Sequence, residues 1–177
     1  MKTRAAVVYE AGKPIEIEEL ELDKPQDGEV LIRYTHAGLC HSDVHVAHGD
    51  LEARLPMVLG HEGAGIIEEV GPGVTRVKAG DHVVCSFIPN CGTCRYCANG
   101  QQSICDMGAT ILEGYLPGER FPITGPAGQW CRLAVQRISK ADAAATTVAE
   151  AQSDRIPRAR HDQAVIATSS RRVADRE

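Results

Sequence analysis

Apolar and polar residues alternate or run together in short stretches through the first 128 residues, and nowhere keep a helical period for long. Residues 3–9 and 29–38 are rich in Val, Ile, Leu, Tyr and Thr and predict strands. Between them, Ile15-Glu16-Ile17-Glu18 and Leu20-Glu21-Leu22 alternate apolar with acidic positions, as a strand with one wet face does. Turn sequences separate the runs at Ala11-Gly12-Lys13-Pro14, Lys24-Pro25-Gln26-Asp27-Gly28 and Gly71-Pro72-Gly73. Further strands are predicted at 64–70 and 81–88, and a short helix at 41–49 that starts near His41 or Ser42. Many short strands with Gly/Pro turns predict a mainly β fold, a small barrel or sandwich.

The pattern changes at Gln129. All 17 glycines lie at or before Gly128, Trp130 is the one aromatic beyond it, and Arg largely replaces Lys. Ser139-Lys140-Ala141-Asp142 predicts the cap of an Ala-rich helix reaching Gln152. Beyond Pro157 no period is visible, and disorder is expected. Residues 1–128 and 129–177 are therefore taken as a main domain and an atypical tail.

Charge follows the same division. Residues 1–128 carry 10 basic and 18 acidic side chains, net −8, while 129–177 carry 9 and 6, net +3. The acidic body argues against nucleic acid or an anionic membrane as partner. No apolar run approaches the roughly 18 residues of a membrane span. The start of the chain is too briefly apolar for a signal peptide, so a cytoplasmic protein is expected. With 43% hydrophobic but only 4% aromatic residues, the core must come from Val, Ile, Leu and Ala.

Seven cysteines, an odd number, point to metal or catalysis rather than disulfides in such a compartment. Cys91-x2-Cys94-x2-Cys97-x7-Cys105 places four thiols within fifteen residues, enough to close a tetrahedron on Zn²⁺ with no open position. An iron–sulfur cluster is the rival reading, but that run would continue x3-Cys-Pro, whereas here seven residues intervene and Asp106 follows. A second group comprises Cys40 and His61, a thiolate and an imidazole suited to Zn²⁺. Asp43 is placed to accept the other imidazole N–H and fix its tautomer. Ser42 and His45 offer a hydroxyl and a second imidazole for passing a proton outward. Each alone has a plain structural reading, a core cysteine, a solvated turn or a helix cap.

Gly60-His61-Glu62-x2-Gly65-x5-Gly71-x2-Val74 resembles, glycine for glycine, the zinc signature of medium-chain alcohol dehydrogenases. Gly38-Leu39-Cys40-His41-Ser42-Asp43 and the four-cysteine stretch follow in that family's order and spacing. The run from Cys85 through Ala109 looks most like the nicotinoprotein branch, the NDMA-dependent enzymes that hold their nicotinamide tightly and recycle it with an artificial acceptor. The resemblance covers residues 1–128 and implies a GroES-like β-barrel catalytic domain with a structural zinc lobe at 90–106. It implies Cys40 and His61 as ligands of a catalytic zinc, with Glu62 close behind the metal and exchanging with water as a transient ligand. It further implies Ser42 and His45 as the proton path, His41 as a contact to the cofactor's pyrophosphate, NAD as cofactor, and a small alcohol or aldehyde as substrate.

Two parts of that pattern are missing. The third protein ligand, usually a Cys, falls near Thr168, and no cysteine follows Cys131. A tail without glycine holds no Gly-rich dinucleotide turn, so the Rossmann domain is absent. The expectation is an N-terminal fragment inactive alone, with 129–177 read from a shifted frame. A zinc-binding module working by contact, or a structural GroES-like barrel, are the competing functions.

Overall fold

The computed structural model describes residues 1–88, 91–116, 119–128, 130–133, 137–140 and 164–169. In chain order the elements are β1 Lys2–Val8, β2 Glu16–Leu22, β3 Glu29–Ala37, α1 His41–His48, β4 Met57–Val58, β5 Gly63–Val70 and β6 His82–Ser86. They continue with α2 Arg95–Ala98, 3-10 turns at Gln102–Ile104 and Asp106–Glu113, then β7 Ile123–Thr124, β8 Trp130–Leu133, β9 Arg137–Lys140 and β10 Ala164–Ser169. The strands close into two five-membered rings, ordered β1-β2-β7-β8-β4 and β10-β3-β5-β6-β9. The mainly β, barrel-type expectation holds.

β3 is the strand on which both halves of the core rest. Val30 and Ile32 pack with Ile67, Val77, Val83 and Cys85, while Leu31 packs with Val7, Leu22, Val58 and Ile123 on the other side. Buried on both faces, its centre reads as an unbroken apolar run. β1 alternates instead, with Thr3, Ala5 and Val7 buried and Lys2 and Arg4 exposed. Each of the fully buried aliphatic side chains contributes roughly 1.5–3 kcal/mol. A third cluster, Val46 and Met57 with Leu51, Leu55 and Leu59, docks α1 onto the barrel.

Antiparallel pairing of β3 with β5 positions the site. Tyr34 faces Gly65 and His36 faces Ala64, so Thr35 is an extra residue, a β-bulge. The ladder ends at Ala37↔Gly63, and the Gly38 N–H extends it to the Glu62 carbonyl at 2.6 Å. The segment leaving β3 is thereby laid beside the segment entering β5. α1 then starts at once and stops at Gly49, whose φ of 87° lets its N–H reach the carbonyls of His45 and Val46.

The tail departs from expectation where it is described. Ser139 and Lys140, predicted to cap a helix, lie in β9 and pair with Val84 and Val83. Residues 141–152, the remainder of that predicted helix, lie outside the described residues. Ala164–Ser169, in the stretch expected to be disordered, forms β10 against β3, from Ala164↔Arg33 to Thr168↔Glu29. Ala164-Val165-Ile166-Ala167-Thr168 holds three β-branched residues in a run too short to display a period, and β3 offers it the edge that β5 does not occupy.

Candidate metal centre

Two groups of metal-competent side chains occur among the described residues. In the first, the end of β3 delivers Cys40 and the start of β5 delivers His61 and Glu62. One donor atom of each lies within 4.8 Å of the others, with His61 buried, Cys40 half-buried and Glu62 exposed. The His61 ring is held on two sides. Its Nδ1 lies 3.2 Å from Asp43 Oδ1, the oxygen that also accepts the Gly60 N–H at 3.0 Å. Its face packs against Phe87, ring centroids 4.5 Å apart. With Nδ1–H donated to Asp43, the Nε2 lone pair is left for a cation.

Gly38 makes room for Glu62. A Cβ at position 38 would sit 2.5 Å from Glu62 Oε2 and 3.0 Å from its Cβ. A thiolate, an imidazole and a carboxylate make a donor set that suits Zn²⁺ and leaves a fourth position open, the catalytic type of site. The group borders a cleft of about 540 Å³, whose lining includes Gly38, Leu39, Cys40, His41 and Glu62. On its other side runs a narrow crevice with Ser42 and His61 at its polar end and Val46, Leu51, Met57 and Phe87 along its walls.

α1 adds the remaining polar groups. Ser42 Oγ lies 3.5 Å from Cys40 Sγ. His41 and His45, one turn apart, meet edge to face with centroids at 4.6 Å. His45 Nδ1 lies 3.1 Å from Asp50 Oδ2, at the exposed side of the helix.

In the second group, the sulfurs of Cys91, Cys94, Cys97 and Cys105 lie within 4.8 Å of one another. Zn–S bonds of about 2.3 Å demand sulfurs about 3.8 Å apart in a tetrahedron, and Cys94 Sγ and Cys105 Sγ are 3.9 Å apart. Backbone N–H groups of Thr93 and Cys94 donate to Cys91 Sγ at 3.4 and 3.2 Å, that of Cys97 to Cys94 Sγ at 3.5 Å, and that of Cys91 to Cys105 Sγ at 3.3 Å. Such donors favour thiolates. Burial pushes the Cys91 thiol up, but the Thr93 and Cys94 donors outweigh it and bring it down to about 6. Cys97 goes the other way: burial, then its sulfur neighbours Cys94 and Cys105, push it up to about 12. Four sulfurs this close cannot all ionise without a cation among them. The donor set fits a closed zinc site.

Every site residue singled out in the sequence falls in one of these groups or beside it. The third thiolate does not: Thr168 pairs with Glu29, at the end of β3 away from Cys40. Asp50, Phe87 and Gly38 escaped the sequence reading. Asp50 meets His45 only across the Gly49 turn, and Phe87 sits in an ordinary apolar strand pattern.

The sequence profile of the alcohol dehydrogenase GroES-like domain matches residues 26–142. The chain belongs to that family. An NDMA-dependent alcohol dehydrogenase of Amycolatopsis methanolica is 71% identical over 121 residues, 68% of this chain and 33% of that enzyme. An S-(hydroxymethyl)glutathione dehydrogenase of Synechocystis is 47% identical over 129 residues, 71% of this chain and 35% of that enzyme. The chain thus spans about a third of the length of these curated relatives. Among solved structures, an alcohol dehydrogenase zinc-binding domain protein from Burkholderia ambifaria superposes with a TM-score of 0.71 at 37% identity, over 76% of this chain and 36% of that one. Benzyl alcohol dehydrogenase from Acinetobacter calcoaceticus gives 0.68 at 34% identity, over 77% and 36%. Among the described residues no helix is long and apolar enough to cross a membrane.

Proposed function

We propose that this GroES-like domain is the metal-bearing, substrate-activating part of a zinc-dependent alcohol dehydrogenase that converts a small alcohol to an aldehyde or ketone with NAD. The observation that carries this reading is the convergence of Cys40, His61 and Glu62 within 4.8 Å beside an open cleft. Cys40, His61 and Glu62 hold the catalytic zinc, and Cys91, Cys94, Cys97 and Cys105 the structural one. When bound, the catalytic zinc supplies a Lewis acid that brings an alcohol's pKa towards neutrality, and nicotinamide supplies the hydride acceptor.

The chain's own residues do the rest. Asp43 keeps the His61 ring in the tautomer and orientation that present Nε2. Phe87 covers the ring face and keeps water from it. Ser42, beside Cys40, holds the alcohol proton, and the open cleft bordered by Cys40 and Glu62, with Leu39, Val44 and Val58 in its lining, receives the carbon chain. His45 carries that proton to solvent: Asp50 occupies Nδ1 and leaves Nε2 as the acceptor. His41, on the cleft wall, offers an imidazole to the cofactor's pyrophosphate. Residues 129–177 hold no Gly-rich phosphate turn. The 71% identity to an NDMA-dependent relative supports the finer reading that the cofactor is tightly held.

Cobalt(II) titration of the chain tests the proposal. Two ions should bind, one with the intense charge-transfer band of four thiolates, the other with a weaker single-thiolate band that shifts when a short aliphatic alcohol is added. Uptake of a single ion, with no response to alcohol, supports a zinc-binding module without catalysis.

A further inference from the structure

Beside the first metal group, and unused by the chemistry above, a polar contact joins the wall of the same cleft to the barrel core. The Tyr34 hydroxyl is 3.0 Å from Cys85 Sγ, across 51 residues of chain. Cys85 is only 9% exposed. Burial pushes its thiol up to about 11, opposed by the hydrogen bond with the Tyr34 hydroxyl and by the Gly63 backbone N–H. The Tyr34 ring lies across Gly63 so closely that a Cβ there would be 2.6 Å from ring Cε1.

These three residues sit on three strands, and each strand hands over one part of the site. β3 runs from Tyr34 to Ala37 and on to Cys40, and β5 begins at Gly63, directly after His61 and Glu62. β6 carries Cys85 and ends at Ser86, directly before Phe87, whose ring packs tilted against His61. Around them the core of this ring is aliphatic: Val30, Ile32, Ile67, Val77 and Val83. Aliphatic packing resists separation but tolerates small sliding. A hydroxyl–thiol hydrogen bond and an N–H···S bond have direction as well as distance, so together they specify where three strand ends lie relative to one another.

We propose that Tyr34 and Cys85, locked over Gly63, are positioning residues that set the spacing of Cys40, His61 and Glu62 for metal binding. The inference rests on the functional reading in one respect, that this group takes up a metal. Tyr34→Phe keeps the ring over Gly63 and removes only the hydroxyl. In a cobalt(II) titration of the full chain, this variant should bind its single-thiolate ion about tenfold more weakly, within the range typical of residues that orient ligands. Its ligand-field band should shift, while the four-thiolate site keeps its affinity and spectrum. Cys85→Val should behave alike, and the double variant should lose no more than either single one, because both remove the same contact. Cys85→Ser, which keeps an acceptor and a donor, should recover most of the loss. Equal weakening at both cobalt sites, or a Tyr34→Phe variant that loads both as the wild type does, overturns the clamp while leaving the functional reading in place. A wild-type chain that loads cobalt only in the four-cysteine lobe overturns the functional reading, and the clamp with it.

Discussion

The four cysteines of the lobe lie within fifteen residues and are organised by turns of their own backbone, whereas Cys40 and His61 stand twenty-one residues apart and meet because β3 pairs with β5. The lobe contains two short helical turns and almost no buried aliphatic side chain, so its order has to come from the ion. The catalytic-type group is the reverse. Its ligands hang from strand ends already fixed by the barrel core, Asp43 and Phe87 hold the imidazole, and the fold needs no cation to assemble them. One region depends on the ion its thiols would hold; in the other the barrel brings the donors together first.

The largest test of that contrast is Cys105→Ser. Structural zinc sites draw on about 10–16 kcal/mol of apparent binding energy, so this change should erase amide-exchange protection through residues 91–106 and leave β1–β6 protected. Loss of protection throughout the barrel would show that the lobe is no separate unit. His61→Ala should do the opposite, abolishing the single-thiolate cobalt band with at least about a 100-fold loss of affinity, while circular dichroism and the lobe's four-thiolate spectrum stay unchanged.

A pH experiment separates the barrel from the lobe without touching a ligand. The Cys85 thiol, pushed by burial from 9.0 to about 11, stays neutral in the fold while the unfolded thiol ionises from pH 9 upward. Ionisation therefore favours the unfolded chain between pH 9 and 11. At 1.36 kcal/mol per pKa unit, wild type should lose about 3 kcal/mol across that window relative to Cys85→Val, read by urea unfolding at each pH. Parallel curves for the two proteins would contradict the burial of this thiol.

Asp43→Asn should weaken cobalt binding about 10–100-fold at Cys40 and His61 and not at all in the lobe. The smallest effect is expected from Gly38→Ala. Its methyl would come within 2.5 Å of Glu62 Oε2 and must turn that carboxylate aside. A few-fold weaker single-thiolate site is the expected result, and an unchanged affinity would argue that Glu62 does not share the metal.

The same contrast decides what was legible in the chain. The cysteine lobe is readable because its geometry is local, and spacing alone constrains four sulfurs. The barrel strands were readable from alternation at β1 and β2 and from the doubly buried run of β3. Residue type suggests Cys40 and His61 as a pair, but likeness to a known signature is what singles them out, because no local rule encodes which two strand ends will meet. The Tyr34–Cys85 contact had no signal at all, since an aromatic and a cysteine in separate strands read as ordinary core. β9 and β10 were missed for a related reason. The Ala-rich stretch after Ser139 favours a helix by propensity, but Ser139 and Lys140 are claimed by the edge of β6.

Thr35, the extra residue of the β3 bulge, bears on all of this. A regular ladder, with Thr35 paired to Ala64 instead of bulged, would carry Tyr34↔Gly65 on to Ala37↔Glu62 rather than Ala37↔Gly63. Cys40 would then trail its partner by one step, about 3.3 Å, and with alternating faces its sulfur would point away from the imidazole. Drawing a single exposed threonine, five residues from the thiolate, into regular pairing would therefore put the two donors out of phase while every residue of the group remained in the chain.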